Sequence, residues 1–134
     1  MSDLRRQYFG KKRGKFRVSP ANQRTWNGIV FHSKLEMLLG QMLFIGLETG
    51  VWTEIERQVK IELAEFVTYV ADFIATTPDG KKVVWEAKGA ETAAWRRVKK
   101  AWKKYGPYEL RIVKYRGRGI GITETLSKGT EAIL

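Results

Sequence analysis

Two strongly apolar runs, separated by a five-residue turn, must fold back on each other. The turn, Thr77-Pro78-Asp79-Gly80-Lys81, joins residues 66–76 to residues 82–88. Proline, aspartate and glycine in this order are typical of a tight turn. Both runs are rich in β-branched and aromatic residues, which favour strands. The pattern therefore predicts two adjacent antiparallel strands that lie in a core.

This hairpin places two acids opposite each other. If the turn is centred on Asp79, the numbers of facing residues sum to 158, and Asp72 faces Glu86. Side chains alternate along a strand, so Glu86 and Lys88 are expected on the same face as Asp72. Directly opposed Cβ atoms lie about 4.5–5.5 Å apart, a distance at which two carboxylates repel each other. Such a pair among apolar side chains needs a stabilising partner.

A divalent cation is the partner that these residue types favour. Mg²⁺ is typically held by one or two carboxylates with phosphate and water, and the carbonyl of Ala87 could supply a further oxygen. The amine of Lys88 would lie beside the ion, where it can orient an attacking water or stabilise charge on phosphoryl oxygens. The alternative is an ordinary ion pair between Asp72 and Lys88, with Glu86 in solvent. The favoured interpretation is a metal site at Asp72, Glu86 and Ala87.

Charge points to the partner of this chain. Its 25 lysines and arginines outnumber its 14 acids, which gives a net charge of +11 over 134 residues. An excess of this size predicts a polyanionic partner, with nucleic acid first. An anionic membrane surface is second, because the basic segments lack the broad apolar face of an interfacial helix. A merely solubilising charge is the remaining alternative, and the clustering of the charges disfavours it.

The basic residues fall into two segments. Residues 1–24 carry eight basic residues against one acid, which predicts a flexible arm that binds phosphates. Residues 91–105 are predicted to form a helix with one apolar stripe and six basic residues on its other sides. These basic residues either contact phosphates or form an ordinary solvent-exposed face. Contacts to phosphates do not distinguish one base from another, so we expect DNA binding with weak sequence preference and strong dependence on salt. The predicted DNA contacts are Lys11, Lys12, Arg13, Lys15, Arg17, Arg96, Arg97, Lys99, Lys100, Lys103 and Lys104.

A first helix begins after Ser33, a good N-cap, and ends near residues 47–50. Glu36 stands three residues after Ser33, the acid position of a capping box, so it has a purely local role open to it. Further strands are predicted at residues 55–63 and 109–115. Residues 120–125 could add an edge strand or contact a partner.

The element order is helix, three strands, helix, strand. This order predicts an α/β fold with a mixed sheet in a single domain. Within residues 1–134, we expect an N-terminal arm (1–24), a core (25–115) and a C-terminal tail (116–134).

Several classes of protein and site are disfavoured. The chain has no cysteine, which removes disulfides and thiolate metal sites. Its one histidine, His32, makes a histidine-rich zinc site improbable and is expected to be structural or to contact phosphate. There is no apolar run of membrane-spanning length and no apolar signal segment at the N-terminus. A cytoplasmic protein is therefore expected.

Two segments resemble the PD-(D/E)XK nuclease superfamily. They are Tyr69-Val-Ala-Asp-Phe73, which precedes the turn, and Val84-Trp-Glu-Ala-Lys-Gly89, which follows it. Within that superfamily the chain is similar to the small phage endonucleases and Holliday junction resolvases, and Gly28-Ile-Val-Phe-His-Ser-Lys-Leu-Glu36 resembles their opening. The resemblance runs from about Trp26 to Val113. One departure is Ala71, which stands where the motif has its proline.

The resemblance implies a restriction-endonuclease-like αβββαβ core, with helices flanking a mixed sheet, and a metal-dependent endonuclease. Asp72 and Glu86 would bind Mg²⁺, with Mn²⁺ as a substitute, Lys88 would be the catalytic lysine and Glu36 the accessory acid. It further implies four-way DNA junctions as substrate and a phage protein in the host cytoplasm or associated with the nucleoid. A two-fold homodimer would suit symmetric cutting of two strands, with the apolar surplus on the first helix as its interface. A phage nuclease that nicks DNA or processes its ends is the alternative within enzymes. A non-catalytic basic DNA-binding module is the alternative outside them.

Overall fold

A five-stranded mixed sheet forms the centre of the protein. The computed structural model describes residues 18–64 and 67–132. The sheet strands are Glu54–Ala64 (β3), Val67–Thr76 (β4), Lys82–Ala87 (β5), Glu109–Arg116 (β6) and Gly119–Leu126 (β7), and they lie side by side in this order. The helices are Lys34–Glu48 (α1) and Ala93–Tyr105 (α2), and the 3₁₀ helix Ala21–Gln23 precedes a small hairpin of Thr25–Trp26 (β1) and Ile29–Val30 (β2).

One parallel pair makes the sheet mixed. Strand β5 pairs with β6 in parallel, while the other neighbours are antiparallel. Parallel neighbours need a crossover connection, and α2 provides it. The prediction of an α/β fold with a mixed sheet is confirmed. Residues 120–125 lie in β7, so this segment is the edge strand that the sequence left as one of two possibilities.

The turn sets the predicted register between β4 and β5. Phe73 pairs with Trp85 and Thr76 pairs with Lys82, so the numbers of facing residues sum to 158 as predicted. The amide of Gly80 donates to the Thr77 carbonyl at 2.9 Å, and Gly80 has a φ of 90°. That backbone conformation suits glycine and explains its place in the turn.

A helix covers each face of the sheet. On one face, α2 buries Trp95, Val98 and Trp102 in a core that includes Val84 and Leu110. On the other face, α1 buries Leu35, Leu39 and Leu43 in a core that includes Phe73 and Trp85. Neighbouring residues of β5 thus point to opposite helices, as the alternation of a strand requires. Among the described residues, no helix has the length and hydropathy needed to cross a membrane.

Half way along β4, the odd-numbered side chains change from one face of the sheet to the other. Tyr69 and Ala71 pack in the core under α2, whereas Phe73 and Ala75 pack in the core under α1, although all four have odd numbers. Regular alternation would keep them on one face. The reversal therefore falls at Asp72, between Ala71 and Phe73.

The neighbouring strand β3 carries the matching irregularity. Arg57 pairs with Phe73 and Val59 pairs with Ala71, but the ladder has no pair at Gln58. Gln58 has a φ of 53°, a left-handed conformation that costs energy for a residue with a side chain. The sequence predicted a direct cross-strand pair of Asp72 with Glu86, but the regular pairing of β4 and β5 ends one residue earlier, at Phe73 and Trp85.

Candidate active site

The predicted site residues Glu36, Asp72, Glu86 and Lys88 meet where β4 and β5 separate. The regular pairing of these strands ends at Phe73 and Trp85. Beyond that pair, Oδ2 of Asp72 accepts a hydrogen bond of 2.9 Å from the backbone N–H of Ala87. A side chain thus replaces the backbone bond, and the carboxylate of Asp72 lies in the gap between two central strands.

Asp72 carries a strongly perturbed carboxyl group. Burial is the largest cause, followed by the negative charges of Glu86 and then Glu36, and together they raise its pKa from 3.8 to about 9. The N–H of Ala87 acts in the opposite direction but does not compensate. Asp72 therefore holds a proton at neutral pH in the absence of a cation.

Glu86 is the most enclosed acid on the α2 side of the sheet, with 5% of its surface exposed. The hydroxyl of Tyr69 donates a hydrogen bond to its Oε1. Nζ of Lys88 lies 3.2 Å from its Oε2. Burial raises the pKa of Glu86, while Tyr69 and Lys88 oppose that rise by stabilising the ionised form. Burial raises the pKa of Tyr69 as well, so its hydroxyl keeps the proton that it donates.

Lys88 is held between an acid and a ring. Its ammonium lies 4.6 Å from the centre of the Trp95 ring, in addition to its ion pair with Glu86. A cation over an aromatic face is attracted to it. The side chain of Lys88 is 22% exposed and that of Glu86 is 7% exposed, so the amine reaches the surface from which a substrate would approach.

Glu36 enters the site from the first turn of α1. Its backbone N–H donates to Oγ of Ser33 at 3.0 Å, which confirms Ser33 as the N-cap. Its own carboxylate reaches the N–H of His32 at 2.7 Å, one residue before the amide that a capping box would use. The other oxygen accepts from Nε2 of Gln58 at 2.8 Å. Glu36 therefore has a local role and also a long-range one, because it acts on Asp72 across the sheet.

Four residues around these groups were not singled out for the site by the sequence. Arg57 places its Nη2 3.9 Å from Oε1 of Glu36 and its guanidinium 4.5 Å from the centre of the Phe31 ring. Gln58, Tyr69 and Trp95 contact Glu36, Glu86 and Lys88, respectively. Tyr69 stands in an apolar run and Trp95 in an apolar stripe, so packing in the core is enough to explain both residues in the sequence. His32 has a 76% exposed side chain, 3.9 Å from Glu36.

The donor types at this site fit a hard divalent cation. Carboxylate oxygens are the ligands that Mg²⁺ prefers. Burial, and after it the repulsion from Glu86 and Glu36, raises the pKa of Asp72, and a bound cation would relieve that repulsion. Within residues 18–64 and 67–132, no group of three or more His, Cys, Asp or Glu side chains forms a ready-made metal site. Ala87 contributes its N–H to Asp72, and the role of its carbonyl remains a prediction.

The basic residues of α2 divide into paired and unpaired ones. Lys99 lies 3.2 Å from Glu91 and 2.7 Å from Glu124, and its side chain is 19% exposed. Lys104 lies 3.4 Å from Glu131, and Nη1 of Arg96 donates to the carbonyl of Glu91 at 3.3 Å. Lys99 is therefore a weak candidate for binding phosphate. Within the described residues, the exposed basic residues of α2 with neither an ion pair nor a side-chain hydrogen bond are Arg97, Lys100 and Lys103.

The predicted contacts of the N-terminal arm, Lys11, Lys12, Arg13, Lys15 and Arg17, lie outside the described residues. Comparison of the chain with family models, with curated proteins and with solved structures found no match. The geometry of the site and the charge of the chain are therefore the basis for a function.

Proposed function

We propose that this protein is a metal-dependent endonuclease that hydrolyses phosphodiester bonds in DNA. The observation that carries the proposal is the position of Asp72, whose carboxyl group interacts with Glu86 on one side and Glu36 on the other, while the amine of Lys88 lies beside Glu86. A buried cluster of acids destabilises a fold unless a proton or a cation compensates the like charges. The net charge of +11 supports a polyanionic substrate.

The order of elements supports the restriction-endonuclease-like core. Helix α1, strands β3 to β5, helix α2 and strand β6 follow one another as αβββαβ, and β7 is added at the edge. Glu36 stands on the first helix, and the remaining site residues on and after two adjacent strands, as the resemblance to PD-(D/E)XK nucleases implies. Within that superfamily we favour a Holliday junction resolvase.

Each site residue has a distinct role in this proposal. Asp72 and Glu86 would hold Mg²⁺, and the ion would supply positive charge for the phosphoryl oxygens. Lys88 orients the water whose oxygen attacks phosphorus, or stabilises the charge that develops as the ester bond breaks. Glu36 assists through its negative charge, which acts on the carboxyl group of Asp72. The attacking water releases a proton to solvent as its oxygen bonds phosphorus, and the leaving oxygen takes a proton from solvent, which yields one phosphate end and one hydroxyl end.

A homodimer would suit the cutting of two strands of a symmetric junction. Met42 and Ile45 of α1 are 38% and 61% exposed, and α1 carries no basic residue after Lys34. A second copy could cover this apolar surface without bringing like charges together.

A cleavage panel tests the enzyme directly. Wild-type protein is incubated with a four-way junction, a flap and a linear duplex, each with Mg²⁺, with Mn²⁺ and with EDTA. We expect cleavage of the branched substrates with either metal and none with EDTA. Preferential cutting of linear ends or simple nicking would indicate the other phage nuclease activities. Tight binding with no cleavage of any substrate would leave only a DNA-binding module.

Removing the Tyr69 hydroxyl should slow cleavage without unfolding the protein. In Tyr69→Phe the ring remains packed against Trp95 and Trp102, but Glu86 loses its donor. Loss of such an outer partner of a ligand typically costs about 10–100-fold in metal affinity or activity. We expect a reduction of about 10-fold, with a higher Mg²⁺ requirement. The matched control is Tyr115→Phe on exposed β6 surface, for which an equal loss would contradict the role given to Tyr69.

DNA binding should depend strongly on salt, with a contribution from α2. Each phosphate contact adds about 0.9 to the slope of log K against log salt concentration on duplex DNA. Arg97→Ala and Lys100→Ala should each lower that slope by about one, because both side chains are exposed and unpaired among the described residues. Fluorescence anisotropy of labelled duplex at several salt concentrations measures it. Lys99→Ala, which removes a lysine engaged with Glu91 and Glu124, should change the slope less.

A further inference from the structure

A cavity of about 180 Å³ opens beside the candidate active site, between the β1–β2 hairpin, α1 and the sheet. Four aromatic rings line it: Trp26, Phe31, Phe44 and Phe73. Phe31 and Phe73 are buried and form its floor, whereas Trp26 and Phe44 are half-buried. The cavity is thus a ring-lined recess with partly open walls.

One residue belongs to both the cavity and the site. Arg57 lines the cavity, lies over the Phe31 ring, and places its Nη2 3.9 Å from the carboxylate of Glu36. Its Nε is buried and has no hydrogen-bond partner within the described residues. A buried donor without a partner is costly, and a ligand oxygen could satisfy it. Arg57 therefore connects the cavity to Glu36, the acid that α1 contributes to the candidate active site.

The size and chemistry of the cavity suit a single planar ring. Its volume equals that of about six water molecules and lies below the roughly 300–1,000 Å³ of pockets for drug-sized ligands. Trp26 and Phe44 meet edge to face, with ring centres 5.3 Å apart. Among the lining residues only Arg57 and Asn27 are polar. Such a wall favours stacking on any base over reading the identity of one base.

We propose that this cavity receives one unstacked nucleobase of the DNA, adjacent to the bond that is cut; this rests on the proposed nuclease function. A base in continuous duplex must break its stacking and pairing to enter, whereas an unpaired base does so at little cost. The cavity thereby favours DNA that is branched or single-stranded next to the cut, with little preference for base identity. The positive charge of Arg57 complements the phosphate that joins this base to the scissile bond.

Photocrosslinking locates the base directly. Flap and junction DNA carrying 5-iodouracil at single positions around the branch are bound to the full wild-type chain in EDTA, irradiated, and analysed by peptide mass spectrometry. We expect an adduct on Trp26 or Phe44 from one unpaired position near the branch and none from the same base in linear duplex. Adducts confined to other parts of the chain would overturn the proposal.

A pair of variants measures what the cavity contributes. Phe44→Ala removes a wall, while Val70→Ala on β4 removes a side chain that is 49% exposed and lies outside the cavity. We expect Phe44→Ala to bind flap DNA about 10-fold more weakly, within the range for loss of one base–aromatic stack, and to bind linear duplex as before. Equal binding by both variants, with unchanged circular dichroism, would contradict the proposal.

The two hypotheses fail separately in these experiments. Cleavage with Mg²⁺ but no adduct at Trp26 or Phe44 would leave the nuclease in place and reject the base cavity. An adduct at Trp26 or Phe44 with no cleavage of any DNA would support the cavity and reject the nuclease. Binding is measured in EDTA, so its result does not depend on the metal site.

Discussion

Lys88→Ala should bind DNA and fail to cut it. Nζ of Lys88 is 3.2 Å from Glu86 and is held over Trp95, which presents a positive charge at the mouth of an acidic site. Removal of one preorganised donor to a developing anion typically costs about 10²–10³-fold in rate. We expect the rate of junction cleavage to fall by about 10³-fold under single-turnover conditions. The dissociation constant for the same junction in EDTA should change less than about threefold, since one phosphate contact at most is lost.

Lys100→Ala is the matched control for this variant. It removes the same side chain from an exposed position on α2 that forms no ion pair within the described residues. Its cleavage rate at saturating enzyme should equal that of the wild type. A Lys88→Ala protein that cuts at the wild-type rate would show that Lys88 serves only as a counter-charge for Glu86. A protein that neither binds nor cuts would place Lys88 in DNA binding rather than in catalysis.

The position of Lys88 relative to Glu86 followed from local sequence. The Pro-Asp-Gly turn has a definite preferred geometry, and it set the register of β4 against β5. The N-cap at Ser33 likewise follows from its own hydroxyl and the adjacent amides. These features depend on residues close together in the chain. The sequence could therefore place Glu86, Lys88 and the start of α1 with no knowledge of the remaining contacts.

The surroundings of Asp72 depend on contacts between distant segments. Gln58 adopts its left-handed conformation within a segment that alternates apolar and polar residues like a regular strand, and no glycine marks the irregularity. Its amide bonds Glu36, 22 residues away, and Asp72 bonds Ala87, 15 residues away. Strand alternation predicted a regular cross-strand pair of Asp72 with Glu86. The regular pairing instead ends at Phe73 and Trp85, and the carboxylate of Asp72 accepts the backbone N–H of Ala87.

Asp72→Asn should abolish cleavage and stabilise the metal-free protein. An asparagine keeps the shape and cannot ionise, so it resembles the protonated form that the folded state prefers. The pKa of Asp72 is about 9 in the folded protein, where burial and the charges of Glu86 and Glu36 raise it, against 3.8 for the free side chain. Between these pH values the folded state holds a proton that the unfolded state has released, so the stability of the wild type falls as pH rises. Below pH 3.8 that contribution is fully present, and above 9 it is lost.

The difference in stability between Asp72→Asn and the wild type should therefore increase as the pH rises. In EDTA at pH 8, we expect Asp72→Asn to be more stable by about 2 kcal/mol, since one pKa unit corresponds to at most about 1.4 kcal/mol and neighbouring acids absorb part of the effect. That corresponds to a melting temperature about 5–10 °C higher for a domain of this size. At pH 5 the two should differ by less than half as much. Thermal unfolding followed by circular dichroism measures both values.

Mg²⁺ should make the wild type more stable than Asp72→Asn, which reverses their order of stability in EDTA. A cation that binds only the folded state stabilises it in proportion to its occupancy, and the wild type keeps both carboxylates that would hold it. We expect added Mg²⁺ to raise the melting temperature of the wild type and to leave that of Asp72→Asn almost unchanged. Glu62→Gln on β3, where the acid is 76% exposed, should respond to Mg²⁺ as the wild type does. An Asp72→Asn protein that is less stable than the wild type in EDTA at pH 8 would mean that the ionised carboxylate stabilises the fold, and the argument for a cation at this site would then fail.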